Sequence, residues 1–170
     1  SSTNGKGWWF MYDALKFSSN IIEKMNAIGY RLDHIKLQKL LYFFAVEYFK
    51  QKQRLPFKQE IEKWKLGPVV REVYREYKIK GSSAITKPTT GLKFEEGRFT
   101  IQAIENEELR PEDDEILDFI IDQYGNRDSF ELVELTHQEE AWRRAEPDIQ
   151  RRATDLFYTI DDFREIAGVV

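Results

Sequence analysis

The chain has 170 residues, 41% of them hydrophobic and 33% charged, enough for one domain with a single substantial core. Its longest apolar run, Leu40 to Val46, is far shorter than the ~20 residues that cross a bilayer, and the absence of cysteine excludes disulfides, thiolate nucleophiles and cysteine-ligated zinc. A net charge of −4 argues against nucleic acid as the main partner, because phosphate binding is driven by counterion release to clustered Lys and Arg.

A thiol-free chain with no membrane span and no basic-then-apolar leader suits a reducing cytoplasm, the compartment expected here. Residues 1–10 are polar and Gly-rich before ending in Trp8-Trp9-Phe10. They are expected to be a cloning remnant or a disordered N-terminus, ahead of a single domain over residues 11–170.

In chain order, Leu15, Ile22 and Met25 recur at helical spacing and predict a helix from about Asp13 to Ile28, with Gly29 as its left-handed stop. Asp33 offers an N-cap for a long second helix, His34 to Lys52. Leu37, Leu40, Leu41, Phe44 and Tyr48 form its stripe, widened by Phe43, Val46 and Phe49, so the helix should be central. Glu60 to Leu66 alternates loosely and suggests a short strand. Gly67-Pro68 is read as the start of a helix to about Lys80, with Pro68 at the first helical position and Val69, Val70, Val73, Tyr74 and Tyr77 inward.

Leu92-Lys93-Phe94 and Phe99-Thr100-Ile101 alternate around Glu95-Glu96-Gly97-Arg98, a β-hairpin pattern. An isolated hairpin is marginal in water, so it is expected to pair with the 60–66 segment or lie on the helices. Pro111 with four following acids opens another helix, where the acids favour the macrodipole. Asp128 and Glu131 make a capping-box-like start for a helix over Ser129–Leu135. Pro147 is read as opening a terminal helix carrying Ile149, Ala153, Leu156 and Phe157, followed by a shorter turn from Asp162 to Ala167. The fold class that results is mainly α with a small antiparallel β element (α+β), about six helices plus a β-hairpin.

Chemistry is sparse. Two histidines cannot build a His-rich metal site, and no phosphate loop, dinucleotide fingerprint or nucleophile elbow is present. No cofactor and no catalytic residue is therefore assigned, and the protein is expected not to be an enzyme. His137 could act in acid–base chemistry only with a nucleophile or water held against it. The plainer reading is that Thr136 and His137 satisfy backbone groups left open at a helix end. Arg71, Arg75 and Lys78 fall at i, i+4 and i+7 with Lys65 just before them. This stripe is either a docking face for an acidic partner or a solvated face balanced by Glu72 and Glu76.

Three ordered blocks remain: Lys36-Leu37-Gln38-Lys39-Leu40-Leu41-Tyr42-Phe43, then Gly67-Pro68-Val69-Val70-Arg71-Glu72-Val73-Tyr74, then Leu135-Thr136-His137 with Trp142. In this order they resemble the SocA-like antitoxin family, or Panacea domain, which includes phage-associated members. The resemblance runs from about Met11 to Phe157. It implies a mostly helical domain that binds and neutralises a cognate toxin protein, in the manner of a toxin–antitoxin system. The family's founding member also delivers its toxin to a protease, so a proteolytic adaptor is the alternative function and a protease a further partner.

The family's signature falls on Lys36, Leu37, Gln38, Leu40, Leu41, Tyr42, Trp64, Gly67, Pro68, Val69, Tyr74, Thr136, His137 and Trp142. Leu40, Leu41, Tyr42 and Trp64 fit core or near-core packing, and Gly67 and Pro68 fit backbone geometry. Lys36, Gln38 and Lys39 are polar and not required by packing. With Arg71, Arg75 and Lys78 they form the expected partner-binding surface. Lys63, Leu66 and Ala141 depart from the residues common at these places, which leaves the fold intact and the identity of the toxin open.

Overall fold

Asp13 caps the first helix by accepting from the backbone N–H groups of Leu15 and Lys16, and Asp33 caps the second through Lys36 N–H. The computed structural model describes residues 11–169. The expectation about residues 1–10 lies outside the described residues.

The elements are α1 (Ala14–Ile28), α2 (His34–Lys52), β1 (Glu62–Trp64), β2 (Gly67–Val69) and α3 (Arg71–Tyr77), which tightens into a 3₁₀ turn over Lys78–Lys80. They continue as β3 (Thr90–Glu95), β4 (Arg98–Ala103), α4 (Pro111–Tyr124), α5 (Ser129–His137), α6 (Glu140–Gln150) and α7 (Ile160–Ala167). The fold is mainly α with two small antiparallel hairpins, as the sequence pattern anticipates.

α2 is the axis of the molecule. It packs against α1, α3, α4, α5, α7 and β2, and Leu37, Leu40, Leu41, Phe44 and Tyr48 are wholly buried. Phe17 of α1 lies 4.5 Å from Phe44 and 5.0 Å from Phe57 between ring centroids, tilted and edge-on, the geometries aromatic quadrupoles prefer. At the far end of α2, Asp113 of α4 is fully buried, ion-paired with Lys52 at 2.7 Å and Arg110 at 2.9 Å, and accepts from the Tyr12 hydroxyl. One member of the acidic run at the start of α4 is thus an internal anion with its charge answered.

Three expectations are corrected. Pro68 does not open a helix: it sits in β2, opposite Lys63, and the helix begins at Arg71. The reason is that β1 folds back through a two-residue turn, Lys65-Leu66, so Gly67 pairs with Trp64 and the chain is still extended at Val69. Pro147 lies inside α6, not at a helix start, and α6 ends three residues later, as expected where a proline removes a helical N–H. Ala153, Leu156 and Phe157 follow in irregular chain, where Lys63 N–H donates to Leu156 O and Tyr158 N–H to Ile61 O, flanking β1 on its other side. The β3–β4 hairpin neither pairs with β1 nor lies on the helices. It forms its own two-stranded sheet, with Leu92 opposite Ile101 and Phe94 opposite Phe99.

Candidate functional site

The three sequence blocks converge on the β1–β2 hairpin. Along α2, Lys36, Gln38 and Lys39 turn to neighbouring backbone on different sides of the helix instead of to solvent. All three are buried: Lys36 is 6%, Gln38 4% and Lys39 1% exposed. Lys36 Nζ donates to Arg31 O and Gly125 O, each at 3.0 Å, fastening the start of α2 to the end of α4. Gln38 accepts from Val70 N–H at 2.8 Å and donates to Val70 O at 3.2 Å. Lys39 Nζ donates to Pro68 O at 3.3 Å, and burial pushes its ammonium down to about 7. The expectation that these residues offer an open polar surface is therefore corrected. Leaving a strand, Pro68 and Val70 have backbone groups with no sheet partner on the α2 side, and long polar side chains from α2 supply one.

Gly67 explains why the strand can come so close. Its φ is +98°, and a Cβ there would stand 2.5 Å from Thr136 Oγ1 and 3.0 Å from Lys39 Cε. Thr136 is itself wholly buried on α5 and donates to Val133 O within its own helix. Its hydroxyl therefore closes the helix and sets the floor under Gly67, instead of meeting an open helix end through the imidazole beside it.

His137 and Trp142 hold the hairpin tip. The imidazole Nε2 donates to Lys65 O at 3.0 Å, and the ring stacks on Trp142 at 3.9 Å and 22°. Trp142 Nε1 donates to Trp64 O at 2.9 Å. Both turn carbonyls are thus capped from the α5–α6 corner. His137 satisfies backbone groups, as the plainer sequence reading held, but those of the hairpin, not those of the helix end.

Trp64 is half-buried and packs edge-on against Tyr74 at 4.8 Å. Its Nε1 donates to Glu62, whose carboxylate also takes a two-point clamp from Arg71 at 2.9 and 2.7 Å. The Arg71 hydrogen bonds hold the Glu62 carboxyl below its usual range, against its burial. Arg71 is therefore committed to the hairpin. Arg75 and Lys78 remain exposed, with Lys78 Nζ 5.6 Å from the Tyr74 ring. Arg71 is exposed as well, so the predicted stripe stays on the surface with its first member paired to Glu62.

Behind the corner, Tyr42 donates to Glu139 at 2.5 Å and rests against Tyr158 at 5.1 Å. Burial pushes the Glu139 carboxyl up to about 7, and the Tyr42 hydroxyl opposes this. Glu62 and Glu139 complete the constellation, and sequence reasoning missed both; Val70, expected only as an inward side chain, joins it through its backbone. The Glu62–Arg71 pair joins a strand to a helix, so the helical spacing that picks out Arg71 does not reveal its partner, and Glu139 reads as one of two ordinary acids.

At this corner the polar atoms of Lys36, Gln38, Lys39, His137 and Trp142 are spent on backbone groups of neighbouring segments. The chain belongs to the antitoxin SocA-like, Panacea domain family, whose model matches residues 37–143. No curated protein and no solved structure matches the chain.

Proposed function

We propose that this protein is an antitoxin that neutralises a cognate toxin enzyme by direct protein–protein contact. Membership of the antitoxin SocA-like family carries the reading. The geometry supports it in one respect: the signature residues are spent on holding a scaffold together, so the work of the protein falls to a surface that the scaffold presents. On this reading the chain has no turnover of its own, and His137 is a structural donor stacked on Trp142. No described helix is long and apolar enough to cross a membrane, which agrees with a partner met in solution.

The test is co-expression with the product of the adjacent reading frame. Growth rescue with that product still present at its full level is the expected result. Rescue accompanied by disappearance of the product would replace direct inhibition with delivery to a protease, and lack of rescue would overturn the antitoxin reading.

A further inference from the structure

The β3–β4 hairpin departs from the economy of the rest of the molecule. Because its register sets Leu92 opposite Ile101 and Phe94 opposite Phe99, these four side chains share one face of the ribbon. All are exposed, by 74%, 72%, 59% and 69% respectively, and the two phenyl rings contact each other edge-on at 4.9 Å. Among the described residues, no other element packs extensively on either face.

The base, by contrast, is anchored. Ile104 N–H donates to Thr89 O, Thr89 N–H donates to the Tyr77 hydroxyl, and Ser19 Oγ donates to Ile104 O. Asn20 then bonds both backbone groups of Glu107. A rigid pedestal thus holds out an apolar ribbon. Exposing it costs solvation that a purely structural hairpin would avoid by alternating polar residues on the outer face.

We infer that this ribbon face is where the toxin docks, and that the toxin presents an apolar groove edged by Lys and Arg. The inference rests on the antitoxin reading. Size selects the occupant. The four side chains offer roughly 500 Å² of apolar area, within the ~300–600 Å² of the largest patch on a typical monomer, which is often functional. Two copies packed face to face would bury only about 1,000 Å² in all, short of the ~1,200 Å² minimum of a specific interface and far below an obligate homodimer. A groove that also embraces the rim reaches the standard size. Charge selects the groove's edge at the tip: Glu95 and Glu96 are exposed there beside Phe94 against Arg98, with Lys93 paired to Glu95 at 2.8 Å, whereas Lys16 and Glu105 border the base by Leu92. The tip of the rim is therefore acidic and attracts a basic border.

The experiment titrates the purified full chain against the product of the adjacent reading frame, alongside growth rescue. Phe94→Ser with Phe99→Ser should weaken binding at least about 30-fold, the scale of losing a hot spot, while melting like the parent. Glu95→Lys with Glu96→Lys should weaken it several-fold, and added salt should weaken the parent complex. Arg75→Glu with Lys78→Glu serves as the surface control and should bind like the parent. If the serine pair melts early, Leu92→Ser or Ile101→Ser alone replaces it.

Parent-like binding and rescue by a folded serine variant would overturn the docking inference and leave the antitoxin reading standing. A parent chain that neither binds nor rescues would overturn both. Sedimentation of the parent as a dimer that the serine pair dissolves would assign the face to a second copy and overturn the inference. Co-sedimentation of the parent with phosphatidylcholine vesicles would overturn it in favour of a lipid surface.

Discussion

Replacing Gln38 by Leu tests whether the polar signature residues on α2 are internal staples. The exchange nearly preserves volume and removes both hydrogen bonds to Val70, at 2.8 and 3.2 Å. Val70 is 1% exposed, and its C=O still accepts from Tyr74 N–H, so its N–H alone would be left without a partner in a dry site. Each buried orphan costs about 1–3 kcal/mol. The added apolar contacts of leucine recover about 1 kcal/mol at a site that is already filled. The net loss is about 1 kcal/mol, which in a domain of this size lowers the melting temperature by roughly 2–4 °C. A thermal melt followed by circular dichroism reads the global effect, and amide exchange at Val70 reads the local one. An unchanged melt with Val70 still protected would refute the reasoning. Lost affinity for the partner with an unchanged melt would return Gln38 to the interface.

Gly67→Ala should destabilise by about 3 kcal/mol, because an alanine at φ +98° is strained and its Cβ overlaps Thr136 Oγ1; adding Thr136→Ala should restore part of the melting temperature, leaving the backbone share. Glu139 gives a pH test: its folded value of about 7 lies above the ordinary 4.5, so the unfolded chain ionises first and stability falls as pH rises between these values. Lys39 acts in the adjoining window: with about 7 in the fold against 10.5 ordinarily, the unfolded chain takes up its proton first, so stability falls as pH drops from 10.5 towards 7. Denaturant melts across both windows should show Glu139→Gln flattening the lower limb and Lys39→Met the upper; unchanged limbs in these variants would refute the assignments.

Helices were legible where the sequence carries both a period and punctuation. Asp33 and the Leu37–Tyr48 stripe predict α2 with its observed ends, His34 and Lys52. The two-by-two alternation around Gly97 predicts β3–β4. Proline misled twice, because its missing N–H is tolerated in places other than a helix start: on a two-stranded ribbon at Pro68, and near the end of a helix at Pro147. The site was less legible for a different reason. Polar residues on an amphipathic helix are assigned to solvent unless something buried needs them, and what needs Lys36, Gln38 and Lys39 is backbone from remote segments. No local pattern announces a carbonyl at Pro68 or Gly125. Likewise, alternation identifies which hairpin residues share a face but not whether that face meets a core.

The capped carbonyls of the β1–β2 turn have a bearing on how this chain tolerates change. The bond from His137 to Lys65 closes a loop of 72 residues, and that from Trp142 to Trp64 one of 78. The β3–β4 ribbon lies inside both loops, attached at its pedestal. Closure entropy grows only with the logarithm of loop length, so inserting about 20 residues at the ribbon tip would cost on the order of 0.2 kcal/mol. Lengthening, shortening or rewriting that tip leaves the clasp at the loop's ends untouched, so the ribbon can diverge rapidly in sequence while residues 36–42, 62–70 and 136–142 are held fixed by one another.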